Sequence, residues 1–261
     1  MYKFPAHLKS ARILVTNDDG INANGIKVLE RVARELCDDV WVCAPESERS
    51  GAGHSLTLHR PLRLRQISSK RYAVSGTPTD SVLLALHHIL PNHLPDLVLS
   101  GVNRGGNIGE DITYSGTVAA AMEATLLGVP AIALSQYVGV GKSKVHWPTA
   151  ETNAPLLIRK LCKTGWPKGV LININFPDLA VGEVKGTGVA DQGQRQIGEN
   201  LDRRIDPRGR PYYWIGTLRN DASPRKGTDL DLVASGHISV TPVHLNLTHR
   251  PSIPGLRKAL A

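Results

Sequence analysis

Apolar residues along this chain fall into two alternating rhythms. "RILVT" (12–16) and "VWVCAP" (40–45) are short, nearly unbroken apolar runs, the pattern of strands buried on both faces. Pro45 stops the second. Between them, in "NGIKVLERVARELC", Ile26, Leu29, Ala33 and Leu36 recur at helical spacing. "DLVLSG" (96–101), "PAIALS" (130–135) and "VLININFP" (170–177) predict three more core strands. The segments between these predict helices. "TDSVLLALHHIL" has Thr79 as candidate N-cap, and "SGTVAAAMEATLLG" is alanine-rich and closed by Gly128. "TAETNAPLLIRKLCK" carries Pro155 as an internal irregularity. "SLTLHRPLRLRQ" and "RYAVSG" predict a hairpin or antiparallel edge. Strands alternating with helices predict an α/β fold with a mostly parallel sheet, whose ligands bind at the carboxyl ends of the strands.

After Pro177 the rhythm breaks. "QGQRQIGENLDRRIDPRGRPYYWIGTLRN" (192–220) is polar and punctuated by Gly and Pro, which predicts a protruding hairpin or arm within 185–235. "TDLDLVASGHISVTPV" then returns to a helical turn and an apolar strand. The whole of 1–261 is read as a single α/β domain, with no internal repeat or coiled coil.

Composition narrows the partners. The net charge of +8 permits an anionic ligand, whether nucleotide, polyphosphate or nucleic acid. The basic residues are scattered, however, with only local concentrations at "HRPLRLR" and "RKLCK". Nucleic-acid binding is therefore not expected as the main activity. No apolar run reaches the roughly 20 residues that span a bilayer, and the first ten residues lack a signal-peptide core, so a cytoplasmic location is expected. Cys37, Cys43 and Cys162 lack CxxC spacing and read as small buried hydrophobes.

Three polar loops follow apolar strands, which places them on one edge of the sheet. "NDDG" sets Asp18 beside Asp19, with Gly20 permitting the turn that lets both carboxylates act together. Such a pair suits a hard divalent cation, with Ser, Asn and carbonyl oxygens completing the shell. No His/Cys cluster supports dedicated zinc. The competing reading is that Asp19 caps the next helix and Asp18 is solvated. "ESERSGAGHS" offers Ser50 as a neutral oxygen and His54 as a general acid or substrate contact. "SGVNRGGNIGEDITYSGT" is rich in glycine, which lets backbone N–H groups approach an anion. Its end opens a helix, so Ser115, Gly116 and Thr117 form a candidate phosphate site. The alternative there is a flexible loop with an ordinary N-cap. "QYVGVGKS" does not meet the GxxxxGK[ST] phosphate-loop pattern, since Gln136 stands at its first glycine. No GxGxxG follows the first strand, and no GxSxG elbow is present.

Together, "ILVTNDDG", "APESERSGAGHS", "SGTPTDSV" and "SGVNRGGNIGEDITYSGTVAAAMEA" resemble the SurE family, stationary-phase survival proteins that are 5'/3'-nucleotidases. The likeness extends to "LININFP" and "GHISVTPV", and leaves the first ten residues as an extension. It implies a Rossmann-like core and hydrolysis of nucleoside monophosphates, with polyphosphate as a further substrate. It also implies one divalent cation per subunit, Mg²⁺ or Mn²⁺, held by the residues matching Asp18, Asp19, Ser50 and Asn103. Asp18 or Asp19 would orient water or attack phosphorus directly. Asn107, with Ser115, Gly116 and Thr117, would stabilise charge on the phosphoryl oxygens. A homodimer or homotetramer exchanging C-terminal segments is implied too, although Asn246 stands where the family usually has an aspartate. Two rival readings remain from residues alone: a regulatory nucleotide-binding protein without turnover, and a basic nucleic-acid binder.

Overall fold

The structure, a computed structural model, describes residues 1–139, 141–194, 196–197, 201–215, 219–220 and 224–261. The chain runs β1 (Arg12–Thr16), α1 (Asn24–Leu36), β2 (Asp39–Pro45), β3 (Leu64–Ser68), β4 (Arg71–Val74), α2 (Pro78–Leu84) and β5 (Leu97–Arg104). It continues with α3 (Asp111–Tyr114), α4 (Gly116–Leu126), β6 (Ala131–Gln136), α5 (Trp147–Thr164), β7 (Val170–Phe176) and β8 (Thr187–Val189). Short strands β9 (Gln196–Ile197), β10 (Leu201–Ile205), β11 (Pro211–Ile215) and β12 (Arg219–Asn220) follow. The chain closes with α6 (Asp229–Ala234), β13 (Ile238–His244) and α7 (Ile253–Leu260).

Nine strands form the main sheet in the order β3-β4-β2-β1-β5-β6-β7-β13-β8. From β4 to β7 every pairing is parallel; β3 and β13 run antiparallel to β4 and β7. Alternation along the buried strands feeds two cores. Ile13 and Val15 of β1 pack with Ile26 and Leu29 of α1 and Ile158 of α5, while Leu14 faces Val118 and Ala121 of α4 and Val82 of α2. The chain moves outward from β1 through β2 to β4, then returns to place β5 on the other side of β1. The strand order therefore reverses between β1 and β5, and a crevice opens beyond their carboxyl ends.

The departures from the sequence reading have physical causes. Of "SLTLHRPLRLRQ" only the last three residues are strand, opening β3 at Leu64, because Pro61 has no N–H to give a ladder. α2 is capped by Thr77, not Thr79: Thr77 and Asp80 form a reciprocal capping box, and Thr79 is buried in the first turn. α5 starts earlier than expected, at Trp147, with Pro148 in its first turn and Pro155 accommodated inside. β5 runs on past Gly101 to Arg104, with one extra residue relative to β6 between Ser100 and Asn103. The polar segment 185–235 divides: β8 joins the main sheet beside β13, α6 buries Asp229, Leu230 and Val233, and β10 pairs with β11 in an exposed ribbon. Parts of that segment lie outside the described residues. No helix among the described residues is long and apolar enough to cross a membrane.

Candidate active site

β1 delivers Asn17 to Gly20 to the switch-point crevice. Gly20 has φ +99°, where a side chain is strained, and the Asn17 amide donates to its carbonyl at 3.0 Å. A Cβ on Gly20 would lie 3.1 Å from the Ser47 carbonyl carbon, so this turn packs directly on the loop after β2. The Arg49 N–H donates to the Asp18 carbonyl at 2.8 Å and fixes the stretch that carries Ser50.

Asp18 is almost fully buried. Its carboxylate accepts from the Thr117 hydroxyl and is supported by the Thr117 backbone N–H. Close approach of α4 depends on Gly116, where a Cβ would sit 2.7 Å from the Asp18 Cβ. Burial pushes the Asp18 carboxyl above its ordinary range, against the pull of Thr117. Asp19 accepts from the Arg104 backbone N–H at 3.2 Å. Burial, then the neighbouring Asp18 charge, push its carboxyl up to about 6. Neither carboxylate forms an ion pair among the described residues. The capping alternative does not hold, because Ala23 occupies the N-cap of α1 with no side-chain cap bond, and Asp18 is not solvated.

Asp19, Ser50, Glu48, Arg104 and Gly105 line a cleft of about 460 Å³, shared with Asn24, Gly139, Lys142 and Trp147. Ser50 Oγ donates to Glu48 at 2.9 Å. Asn103, beside Arg104 at the end of β5, donates through Nδ2 to the Gly105 carbonyl at 2.9 Å. Two desolvated carboxylates with no ion-pair partner among the described residues, flanked by a hydroxyl and an amide oxygen, fit an oxygen-ligating divalent ion. Among the described residues no group of three or more His, Cys, Asp or Glu is placed to hold a metal ion.

The expected phosphate residues have more structural duties than their sequence suggests. Asn107 is buried, with Nδ2 donating to Ser135 Oγ at 2.8 Å and its backbone held by Asn173 and Asn175 of β7. Ser115 is the N-cap of α4, its hydroxyl accepting from the Val118 N–H at 3.0 Å. The Thr117 hydroxyl is spent on Asp18. His54 is not among the residues lining the Asp19 cleft. Its Nε2 lies 2.8 Å from Glu123 Oε2 on α4, beside a separate depression lined by Ile112 and His244. The pair ties the loop after Ser50 to the helix that supports Asp18.

Sequence reasoning missed Arg104, Glu48, Lys142 and Trp147 at the cleft. It also missed Asp229, fully buried, which accepts from the Gly109 N–H at 2.9 Å and the Gly193 N–H at 2.8 Å. A signal existed for the network around Asn107: polar Asn173 and Asn175 stand inside the apolar run "VLININFP".

Comparison with known proteins identifies the family. A family profile described as "Survival protein SurE" matches residues 13–199. A protein of Paramagnetospirillum magneticum named 5'-nucleotidase SurE is 58% identical over 250 residues, covering 96% of each chain. One of the same name from Methylobacterium radiotolerans is 53% identical, covering 96% of this chain and 99% of its own. The crystal structure of the SurE protein from Aquifex aeolicus superposes with a TM-score of 0.84 at 39% identity, covering 96% of this chain and 100% of that one. With its carboxylate pair at the switch point and these similarities along nearly its whole length, the chain belongs to the SurE family of survival proteins.

Proposed function

We propose that this chain is a 5'-nucleotidase, a phosphoric monoester hydrolase that releases phosphate from nucleoside monophosphates. The observation that carries the proposal is the desolvated Asp18–Asp19 pair, held at the mouth of the sheet with no ion-pair partner among the described residues. Relatives at 53–58% identity named 5'-nucleotidase SurE support the substrate class.

Asp18, Asp19, Ser50 and Asn103 are the proposed ligands of one Mg²⁺ or Mn²⁺. When bound, such an ion supplies Lewis-acid polarisation of a phosphoryl oxygen and lowers the pKa of water. The chain's own residues do the rest. Thr117 fixes Asp18 in place by donating to its carboxylate, and Asp19 is the more exposed carboxylate facing the cleft and the one proposed to orient the attacking water. The backbone N–H of Gly116, in the first turn of α4, and the second N–H of the Asn107 amide are the proposed donors to the phosphoryl oxygens. Ser115 and Thr117 contribute by building that turn. His54 is proposed to act through Glu123, by anchoring the Ser50 loop.

A subunit pair that exchanges C-terminal segments is part of the same proposal. Its support is that the turn at Arg250–Ser252 and α7 bury none of their residues on their own chain. Phosphate release from a panel of nucleoside 5'- and 3'-monophosphates and from polyphosphate, with EDTA, Mg²⁺ or Mn²⁺, tests the reading and ranks the substrates. Release from 5'-monophosphates that requires metal is expected. Tight AMP binding with no release under any metal would replace the enzyme by a nucleotide-binding protein.

A further inference from the structure

The cleft that holds Asp19 extends beyond what phosphate hydrolysis needs, and its far lining is of a different kind. Trp147, the first residue of α5, is partly exposed there, and Asn24 at the start of α1 is exposed beside it. Gly25 lets these two helix starts meet: a Cβ would lie 3.2 Å from the Trp147 ring at Cη2 and would collide with the Val102 carbonyl. The indole is thus seated against α1 while part of its surface remains open to the cleft. Behind it, Asp178 fixes the wall by accepting from the Gly139 N–H at 3.1 Å and pairing with Lys142 Nζ at 2.8 Å. Lys142 and Arg104 both line the cleft as exposed cations.

We infer that this end of the cleft is a nucleobase subsite, with Trp147 as the stacking platform and Asn24 as the group that meets the polar edge of the base. This inference rests on the nucleotidase reading and adds to it the residues that would distinguish a nucleotide from any other phosphomonoester. A site that takes only phosphate has no use for an exposed indole; an aromatic face is what a base recognises whatever its sequence of polar groups. The Asn24 amide offers both a donor and an acceptor, which matches the edge of every base. Arg104, whose backbone touches Asp19, lies between the two ends in the chemistry it offers: its guanidinium suits the sugar-phosphate link. The cleft volume of about 460 Å³ falls within the range of small-molecule sites.

The test compares substrates with and without a base. Rates are measured on 5'-AMP and on ribose 5-phosphate for the wild type, Trp147→Ala and Trp147→Phe at saturating Mn²⁺. The expected result is that Trp147→Ala lowers the ratio of kcat/KM for AMP over that for ribose 5-phosphate by roughly 5- to 150-fold, mostly through KM, the loss stacking on one aromatic ring accounts for. Trp147→Phe keeps most of the ratio. An unchanged ratio, or equal loss on both substrates, overturns the subsite, since Trp147 would then only support the fold. If the wild type hydrolyses neither substrate, the nucleotidase reading fails separately. Adenosine-dependent quenching of tryptophan fluorescence, present in the wild type and lost in Trp147→Phe, still decides the subsite in that case.

Discussion

Asp18, buried, and Asp19, partly buried, stand side by side in a turn, and their protonation links the site to stability. An ordinary aspartate titrates near 3.8, and the Asp19 carboxyl is pushed up to about 6. The folded protein therefore holds a proton that the unfolded chain has already released. The pair costs nothing below about pH 4; its penalty grows as pH rises through about 6 and is complete above it. Asp18 is shifted in the same direction. Thermal unfolding in EDTA should accordingly show a contribution that lowers the melting temperature between pH 5 and pH 7.5. Asp19→Asn should flatten that slope and raise the metal-free melting temperature at pH 7.5 by several degrees, consistent with roughly 2–3 kcal/mol of relieved strain. Mn²⁺ should stabilise the wild type more at pH 7.5 than at pH 5. A variant whose EDTA profile overlays the wild type would show that the pair is not repelling. Gly116→Ala probes the neighbouring contact. Alanine favours a helix, yet its Cβ would press on Asp18, so kcat/KM should fall by about 10-fold or more while the far-UV spectrum is kept.

At the scale of elements, the site depends on loops tied to one another rather than on strands alone. Asp229 in α6 is the clearest case, since it accepts from backbone N–H groups of both the glycine-rich loop and the segment after β8. Asp229→Ala removes the acceptor of the Gly109, Gly193 and Leu230 N–H groups and should cost about 2–4 kcal/mol, read as a lower urea midpoint at unchanged slope. This tie was hidden in the sequence: "TDLDLV" shows an acidic helix start but nothing of its distant partners. Much else was legible. The central strands were visible because unbroken apolar runs such as "RILVT" suit a sheet covered on both faces. Asp18 and Asp19 were legible as adjacent carboxylates at the end of such a run, ahead of a glycine that permits the turn. Elements set by long-range pairing were less so. β5 continues through Gly101 because β1 and β6 flank it, and Thr77 takes the cap of α2 from Thr79 because Asp80 can reach back to it. The roles of Ser115 and Thr117 were legible as a helix start, but not that Thr117 faces Asp18.

The whole molecule raises the question of assembly. Leu247, Leu256 and Leu260 are 91%, 60% and 87% exposed, too apolar a tail to leave in water. Deleting residues 249–261 should therefore reduce the mass seen in sedimentation, and an unchanged mass would assign assembly to other surfaces. The central claim is narrower than assembly and is tested without it: the Asp18–Asp19 pair is the centre of a cation-dependent phosphatase. The most direct measurement is phosphate release from 5'-AMP across a Mn²⁺ titration for the wild type and Asp19→Asn. The account predicts no release in EDTA, saturable activation of the wild type, and a loss of more than about 100-fold in the variant at saturating Mn²⁺. Release by the wild type that is indifferent to EDTA, or wild-type turnover by Asp19→Asn, would contradict it.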